Sequence, residues 1–307
     1  MRALHSDPLV SFVVAVYNGA AFLDEALASM TAQTHRHVEI VLADDGSTDE
    51  SVAMAETWSA RDARVRIIRT GHRGPQRARN AGVAAARGEF IAHLDQDNVA
   101  APSRVATQLA WMEAQGVDIC GSCTRVFGDH RYLGWVPERH DDILRESVFR
   151  CAFIHSTVML PAAIAKAHPF DEQHRCGGDE LPIRLALQHR CRLGNVPQAL
   201  IKYRHHAGQR ARVEAETIRE HRREIQCRVF RHLFPEATPP DEAATMRVAD
   251  AEPIEDAAER ARAETWMDRL SSTGDPMLRR LMVERWAIAG GVGAKKKSDQ
   301  DSRTPKS

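Results

Sequence analysis

The sequence predicts an α/β protein, a mostly parallel sheet flanked by helices, with a helical extension at its C-terminal end. Three observations carry this. Over the first hundred residues, apolar β-branched runs alternate with stretches whose apolar residues recur at helical spacing, the rhythm of a parallel sheet covered by helices. Acidic residues collect where the apolar runs stop. Past about Arg212 only the helical period remains.

Leu9 to Val16 (LVSFVVAV) is a continuous apolar run, expected as a strand buried on both faces. Asn18 and Gly19 break it, and Phe22, Leu23, Ala26, Leu27 and Met30 then mark one side of a helix. Val38 to Ala43 (VEIVLA) forms a second strand and ends in Asp44, Asp45, Gly46 and Ser47. Val65 to Ile68 and Glu89 to Leu94 (EFIAHL) are the third and fourth strands, with an alanine-rich helix from about Gln76 to Ala86 between them. In such sheets ligands bind at the carboxyl ends of the strands. After Asp97 the rhythm loosens into a helix from about Pro102 to Gln115, a strand near Val117 to Phe127 and an aromatic turn through Tyr132, Trp135 and Pro137. A helix beginning near Asp179 and a strand near Ala199 to Tyr203 come next. Ile218, Ile225, Val229 and Leu233 then share an apolar helix face; Pro239 and Pro240 read as a linker, with helical segments at about 254–270 and 277–289 beyond it. From about Gly290 the chain is rich in glycine and lysine without an apolar period, and disorder is expected there.

Composition narrows the function. The 307 residues hold 42 Lys+Arg against 42 Asp+Glu, a balance that argues against a nucleic-acid partner, which demands a marked basic excess. With 43% hydrophobic residues the chain can bury a sizeable core. No apolar run reaches the ~20 residues that span a bilayer, and the opening MRALHSDPLV lacks a signal-peptide run. The expectation is therefore a cytoplasmic protein with no transmembrane segment, soluble or peripheral to the inner face of a membrane. The six cysteines are scattered; Cys120 and Cys123 form a CxxC without a second pair, which suits buried thiols better than a metal or redox site.

Asp44 and Asp45 follow the second strand and Asp95 and Asp97 the fourth, so four acids are expected at one crevice. A DxD sets two carboxylates on an extended turn, where one binds a hard divalent cation and the other holds a sugar hydroxyl or a ligand water. Asp44 and Asp45 suit equally an Asx turn with a helix cap ahead of STDE.

The segments VVAVYNGAAFLDEALASMTAQT, VEIVLADDGSTDES and RARNAGVAAARGEFIAHLDQDN resemble, in order and spacing, the family 2 glycosyltransferases of the GT-A fold. The resemblance covers roughly residues 8–210. Three later segments look like that family too: FIHSTVML (Phe153 to Leu160) its acceptor-side segment, GGDELPIRLAL (Gly177 to Leu187) its acidic base motif, and YRHHAGQ (Tyr203 to Gln209) its closing YRxH motif. The fold implied is a Rossmann-like GT-A catalytic domain over 1–210, with a nucleotide-binding half (8–98) and an acceptor half (99–210). A helical region (211–290) and a disordered tail (291–307) complete the expected domains.

Residue by residue, the resemblance implies that Val16 and Tyr17 lie along the nucleotide and that Asp45 accepts the N–H of a uracil-like base, with Asp44 the second candidate. Arg79 faces the nucleotide. Asp95 lies near the sugar and ribose, Asp97 binds the metal, and His206 completes the metal or diphosphate site. Mn²⁺ or Mg²⁺ is the implied cofactor, and an imidazole ligand favours manganese. The base motif departs from the family pattern, which usually has an adjacent Glu-Asp, whereas Gly177-Gly178-Asp179-Glu180 precedes Leu181-Pro182 here. Asp179 is the expected base and Glu180 its substitute; Pro182 suits the first turn of a helix, which would put Asp179 at or near the cap.

The implied reaction is inverting, metal-dependent transfer from a UDP-sugar, or another NDP-sugar, to a hydroxyl of a glycan, a lipid-linked or a protein acceptor. Tyr132, Trp135 and His155 suit stacking on a sugar and serve equally as packing aromatics. The C-terminal helices can cover the catalytic domain, self-associate or touch a membrane surface. A dinucleotide-binding dehydrogenase is disfavoured, because YNGAAF supplies one glycine where GxGxxG needs three. A non-catalytic module that binds nucleotide or glycan on the same fold is the alternative.

Overall fold

Strand β1 (Val10–Val16) lies between two parallel neighbours, β2 (Val38–Asp44) and β4 (Phe90–His93), and its apolar run is buried because helices cover both faces. The computed structural model describes residues 7–172, 178–209, 215–271 and 276–289. Its mixed sheet adds β3 (Val65–Arg69), β5 (Val99–Ala100), β6 (Ile119–Gly128), β7 (Tyr132–Gly134), β8 (Met159–Pro161) and β9 (Leu193–His205), in the order β3-β2-β1-β4-β8-β6-β9-β5. β7 pairs with the far part of β6, at Thr124 to Val126. The sheet is parallel from β3 to β4 and across β6 and β9, while β8 and β5 run against their neighbours.

Helices α1 (Ala20–Thr31) and α4 (Arg104–Gln115) seal one layer of the core. Leu23, Leu27 and Met30 of α1 and Val105, Leu109 and Met112 of α4 join the strands' apolar residues in one buried cluster. Between the strands of the first half lie α2 (Ser51–Arg61) and α3 (Pro75–Ala85), where Gly82 approaches β1 so closely that a Cβ would sit 2.6 Å from Val13 Cγ1. Arg104 is fully buried, its guanidinium over the Phe12 ring and donating to the His93 carbonyl; desolvation lowers its pKa to about 9. Cys120 and Cys123 are free thiols buried in β6, and burial pushes the Cys120 thiol up to about 12.

Three elements differ from the sequence reading. The aromatic turn contains a strand, β7, because Gly134 opposite Thr124 leaves room for that side chain; a Cβ there would lie 2.3 Å from Thr124 Oγ1. β9 begins at Leu193, well before Ala199. Its register with β6 jumps from Ser122–Val196 to Cys123–Ala199, so Pro197 and Gln198 form a bulge that hides the strand's periodicity. Pro239 and Pro240 do not form a linker; they open a helix, α9 (Pro239–Ala249), where missing N–H groups cost nothing, and Thr238 and Asp241 close a capping box in front of it. The expected tail beyond Gly290 lies outside the described residues.

The chain divides into two compact units. The first holds the sheet, with α6 (Ala162–Ala167) and α7 (Leu181–His189), and spans the residues up to Arg139 together with Phe153–His221. The second is built from two separated stretches, His140–Ala152 and the residues from Arg222 on. It contains α5 (His140–Glu146), most of α8 (Ala215–Leu233), α9, α10 (Ala257–Leu270) and α11 (Pro276–Ile288). Phe230, Phe234 and Trp266 form an aromatic cluster, and Arg269 lies over the Phe234 and Trp266 rings. Arg145, in the last turn of α5, donates to the Arg269 carbonyl at 3.0 Å. No helix among the described residues is long and apolar enough to cross a membrane.

At the amino end of the strands, Glu39 is buried and accepts from Ser11 Oγ and the Arg87 N–H at 2.6 Å each, and from Arg66 at 3.0 Å. Burial opposes its charge, but the three hydrogen bonds and the Arg66 charge outweigh it and hold its pKa below the ordinary value of 4.5. A depressed carboxyl stabilises the fold above its unfolded pKa, and that contribution is lost as pH falls through the folded value. Glu39→Gln should therefore lower the melting temperature at pH 7, by an amount corresponding to about 1.5–3 kcal/mol for charged hydrogen bonds. In a calorimetric series the deficit should shrink as pH falls below 4.5 and vanish once Glu39 is protonated in the folded protein.

Candidate active site

The carboxyl edge of β1, β2 and β4 is assembled by side chains that satisfy backbone N–H groups. Gln96 accepts from the Tyr17 N–H at 2.9 Å and donates to the Tyr17 carbonyl at 3.0 Å, clamping the turn after β1 to the turn after β4. Gly19 is required beside it, because a Cβ would meet Gln96 Oε1 at 2.3 Å. The start of α1 is capped from the loop after β2, with Gly19 N–H on Ser51 Oγ and Ala20 N–H on Asp49 Oδ2. Val16 points its side chain into the core. Tyr17 is exposed, its ring 4.7 Å from that of His72.

Asp44 and Asp45 are buried and face backbone rather than open crevice. The Asp44 carboxylate accepts from the N–H groups of Gly46 and Ser47 at 3.2 Å each, an Asx turn. The Asp45 carboxylate accepts from Arg73 N–H at 2.7 Å, Gly74 N–H at 2.9 Å and Thr70 Oγ1 at 3.1 Å, and so orders the loop after β3. Of roughly four lone-pair sites on a carboxylate, that leaves about one for Asp45.

The structure brings Arg79, Asp95, Asp97 and His206 together. Arg79, from the first half of α3, donates to Asp95 Oδ1 at 3.2 Å and lies 5.9 Å from the centre of the Phe170 ring. Asp95 Oδ2 accepts from Ser156 Oγ. Asp97 Oδ2 lies 3.1 Å from His206 Nε2, 109 positions along the chain. That meeting arises from sheet topology: β5 pairs antiparallel with β9 just beyond the Asp-x-Asp turn, and Asn98 Oδ1 takes the Arg204 N–H at 2.8 Å. Burial, then the neighbouring charge of Asp95, raise the Asp97 carboxyl above the ordinary range, against the lowering bond from His206. Among the described residues no three His, Cys, Asp or Glu side chains converge as a preformed metal cluster; Asp97 and His206 meet as a pair.

The base candidates sit at the start of α7. Glu180 occupies its N-cap position and Pro182 its first turn, with no side-chain cap. Asp179 does not cap the helix; its Oδ1 accepts the backbone N–H of His155, the first residue of a 3₁₀ turn (His155–Thr157) whose second residue is Ser156. One turn thus grips Asp95 through a hydroxyl and Asp179 through a backbone N–H. Gly178 lets the loop close over it, since a Cβ would lie 2.8 Å from His155 Nδ1 and 3.3 Å from Arg79 Nη1. The His155 ring rests on fully buried His93, and desolvation keeps both imidazoles well below the usual histidine range. The Tyr203 phenol is raised by burial, then by the negative charges of Asp179, Asp95 and Asp97, so it shares their field. Gln96, Asn98 and Ser156 were not singled out by the sequence reading, though they lie within the quoted LDQDN and FIHSTVML; nothing in the pattern separates a positioning amide or hydroxyl from an ordinary polar residue.

A half-parallel sheet carrying an Asp-x-Asp at its carboxyl edge, met by a histidine just after the last strand, defines a GT-A fold. The family described as glycosyl transferase family 2 matches residues 11–170, and the chain belongs to it. An uncharacterized glycosyltransferase of Haemophilus influenzae is 28% identical over 242 residues, 71% of this chain and 73% of that protein. EpsJ of Bacillus subtilis, also an uncharacterized glycosyltransferase, is 38% identical over 114 residues, 37% of this chain and 33% of its own length. In fold, the chain is similar to S. aureus TarS 1–349 in complex with UDP-GlcNAc (TM-score 0.61, 14% identity, 97% of this chain and 93% of that one). It is also similar to the mannosyltransferase PcManGT of Pyrobaculum calidifontis with GDP-Man and Mn²⁺ (TM-score 0.57, 17% identity, 96% and 84%).

Ser156 Oγ also accepts from Asn98 Nδ2 at 2.8 Å and from the Asp95 N–H at 3.2 Å, in a fully buried position. Ser156→Ala leaves these groups without that partner, and a loss of about 1–3 kcal/mol is expected for a buried unsatisfied group. Comparing the melting curves of Ser156→Ala and wild type checks it; an unchanged melting temperature would show that the hydroxyl holds nothing together.

Proposed function

We propose that the protein is an inverting glycosyltransferase that moves a sugar from a nucleoside diphosphate, UDP in the first instance, to an acceptor hydroxyl with the help of a divalent cation. The observation that carries this reading is the pairing of Arg79 with Asp95 and of Asp97 with His206, with one 3₁₀ turn gripping both Asp95 and Asp179. Asp97 and His206 fit a metal by chemistry and by charge. Carboxylate and imidazole are a donor set suited to Mn²⁺, and the repulsion between Asp95 and Asp97 is what a cation relieves. When bound, the ion supplies Lewis-acid neutralisation of the departing diphosphate.

The chain's own residues do the rest. Arg79 balances charge next to Asp95, and Asp95 orients the donor near its sugar and ribose. Asp179, fixed by His155, takes the proton of the acceptor hydroxyl while the oxygen bonds to the anomeric carbon and the bond to the diphosphate breaks. A single base acting opposite the leaving group inverts the anomeric configuration. Tyr17 flanks the nucleotide at the end of β1, beside Val16, and the remaining lone pair of Asp45 receives the base N–H; Asp44 acts through its Asx turn. A carboxylate that accepts this N–H rejects cytosine, whose ring nitrogen is itself an acceptor.

Titration calorimetry with UDP, dTDP, GDP and CDP in Mn²⁺ tests the donor side. UDP should bind more tightly than CDP, Asp45→Ala should erase most of the difference, and Asp97→Ala should abolish Mn²⁺-dependent binding. Binding of GDP alone would show the uracil assignment to be wrong.

For the base, Asp179→Asn should reduce turnover by ~10²- to 10⁴-fold with donor affinity nearly unchanged. An active Asp179→Asn beside an inactive Glu180→Gln would move the role to Glu180.

A further inference from the structure

β7, β6 and β9 run side by side, and their register sets three residues in one row. Val126 pairs with Tyr132 on one side and with Tyr203 on the other. Residues paired directly across strands project to the same face, so these three share one face and Leu133, Arg125 and Lys202 the other. Tyr132, at the outer end of the row, is 58% exposed, Val126 in the middle is buried and Tyr203 at the inner end is half-buried. The inner end of the row adjoins the acids: Arg204, the residue after Tyr203, donates its N–H to Asn98 Oδ1 at 2.8 Å in the turn that carries Asp95 and Asp97, and the negative charges of Asp179, Asp95 and Asp97 act on the Tyr203 phenol. The outer end is held in place, with Gly134 packed on Thr124 too closely for any side chain. An aromatic ring is thus presented to solvent on a fixed strand, on the same face as Tyr203.

We propose that Tyr132 is an acceptor platform on which a sugar ring of a saccharide acceptor stacks while the neighbouring unit offers its hydroxyl to Asp179. This rests on the reading of Asp179 as the base. An aromatic face presents partial negative charge to the C–H face of a pyranose, and the phenol edge stays wet. The row carries no charged side chain, which disfavours a phosphate-bearing headgroup as the occupant of this face. Two interstrand steps, roughly 10 Å, separate the Tyr132 and Tyr203 columns. That is longer than one pyranose, so the substrate class is a chain of at least two sugars, and the reaction an elongation.

Saturation-transfer NMR titrations on the protein with UDP and diamagnetic Mg²⁺ test this. The probes are the methyl glycosides of glucose, galactose, mannose and N-acetylglucosamine, and their 1→3- and 1→4-linked disaccharides. At least one disaccharide should bind better than its monosaccharide. Tyr132→Ala should weaken that disaccharide about tenfold and the monosaccharide little, with Tyr132→Phe and Tyr132→Trp within about threefold of wild type. UDP affinity, measured separately, should be the same in all four proteins. If UDP binds but no disaccharide does, or if Tyr132→Ala loses nothing, the platform is overturned while the donor-site reading stands. Transfer to a lipid phosphate or a protein that is indifferent to Tyr132→Ala overturns it equally, and failure of UDP and the other nucleotides to bind removes both readings.

Discussion

The candidate site depends on one fully buried carboxamide. Asn98 Oδ1 takes the N–H of Arg204, and its Nδ2 gives a hydrogen to Ser156 Oγ, so a single side chain joins the turn after β4, the end of β9 and the 3₁₀ turn. A carboxamide can do this because it is donor and acceptor at once on a planar head. Asp97, His206, Asp95 and, through the backbone of His155, Asp179 all hang from those three segments. An aspartate at position 98 would match the shape but not the donor, and in so dry a place the mismatch would be felt by every acid around it.

Acidic residues here divide into two kinds of work. Asp44, Asp45 and Asp49 direct their oxygens to backbone N–H groups and shape the loops after β2 and β3 and the start of α1. Asp95 and Asp97 instead lie close enough to repel, and Asp179 joins them in acting on the Tyr203 phenol, an arrangement that scaffolding alone does not call for. The difference lies in which partners each carboxylate finds. Donors around the first group are mostly fixed amides, with Thr70 Oγ1 added on Asp45, whereas Asp95 and Asp97 meet Arg79, His206 and a hydroxyl, groups that a charged ligand can also engage.

Most of the fold was legible because its strands announce themselves: LVSFVVAV, VEIVLA and EFIAHL are apolar on both faces and stand within a residue or two of β1, β2 and β4. What hid was set by partners far away in sequence. β7 exists because Gly134 fits against Thr124, and the early half of β9 is masked by its bulge at Pro197 and Gln198. The Pro239-Pro240 pair reads as a break until Thr238 is recognised as the cap of α9. In the site, Asp95, Asp97, Arg79 and His206 were named through the family resemblance, and the structure pairs Arg79 with Asp95 and His206 with Asp97. That Asp45 faces its own loop and that Asp179 is bound by a backbone amide rather than capping α7 could not be read from spacing, since both depend on where a distant loop closes.

The second unit takes His140–Ala152 from the middle of the chain and the residues from Arg222 on from its end. For a chain that emerges from the ribosome in order, this fixes a schedule. The short middle stretch, with Ile143, Leu144, Val148 and Phe149 destined for burial, is synthesised long before α10 and α11 exist to complete the unit. At about 5–20 residues per second the wait is on the order of ten seconds. During that interval Ile143, Leu144, Val148 and Phe149 are without the last helices of their own unit.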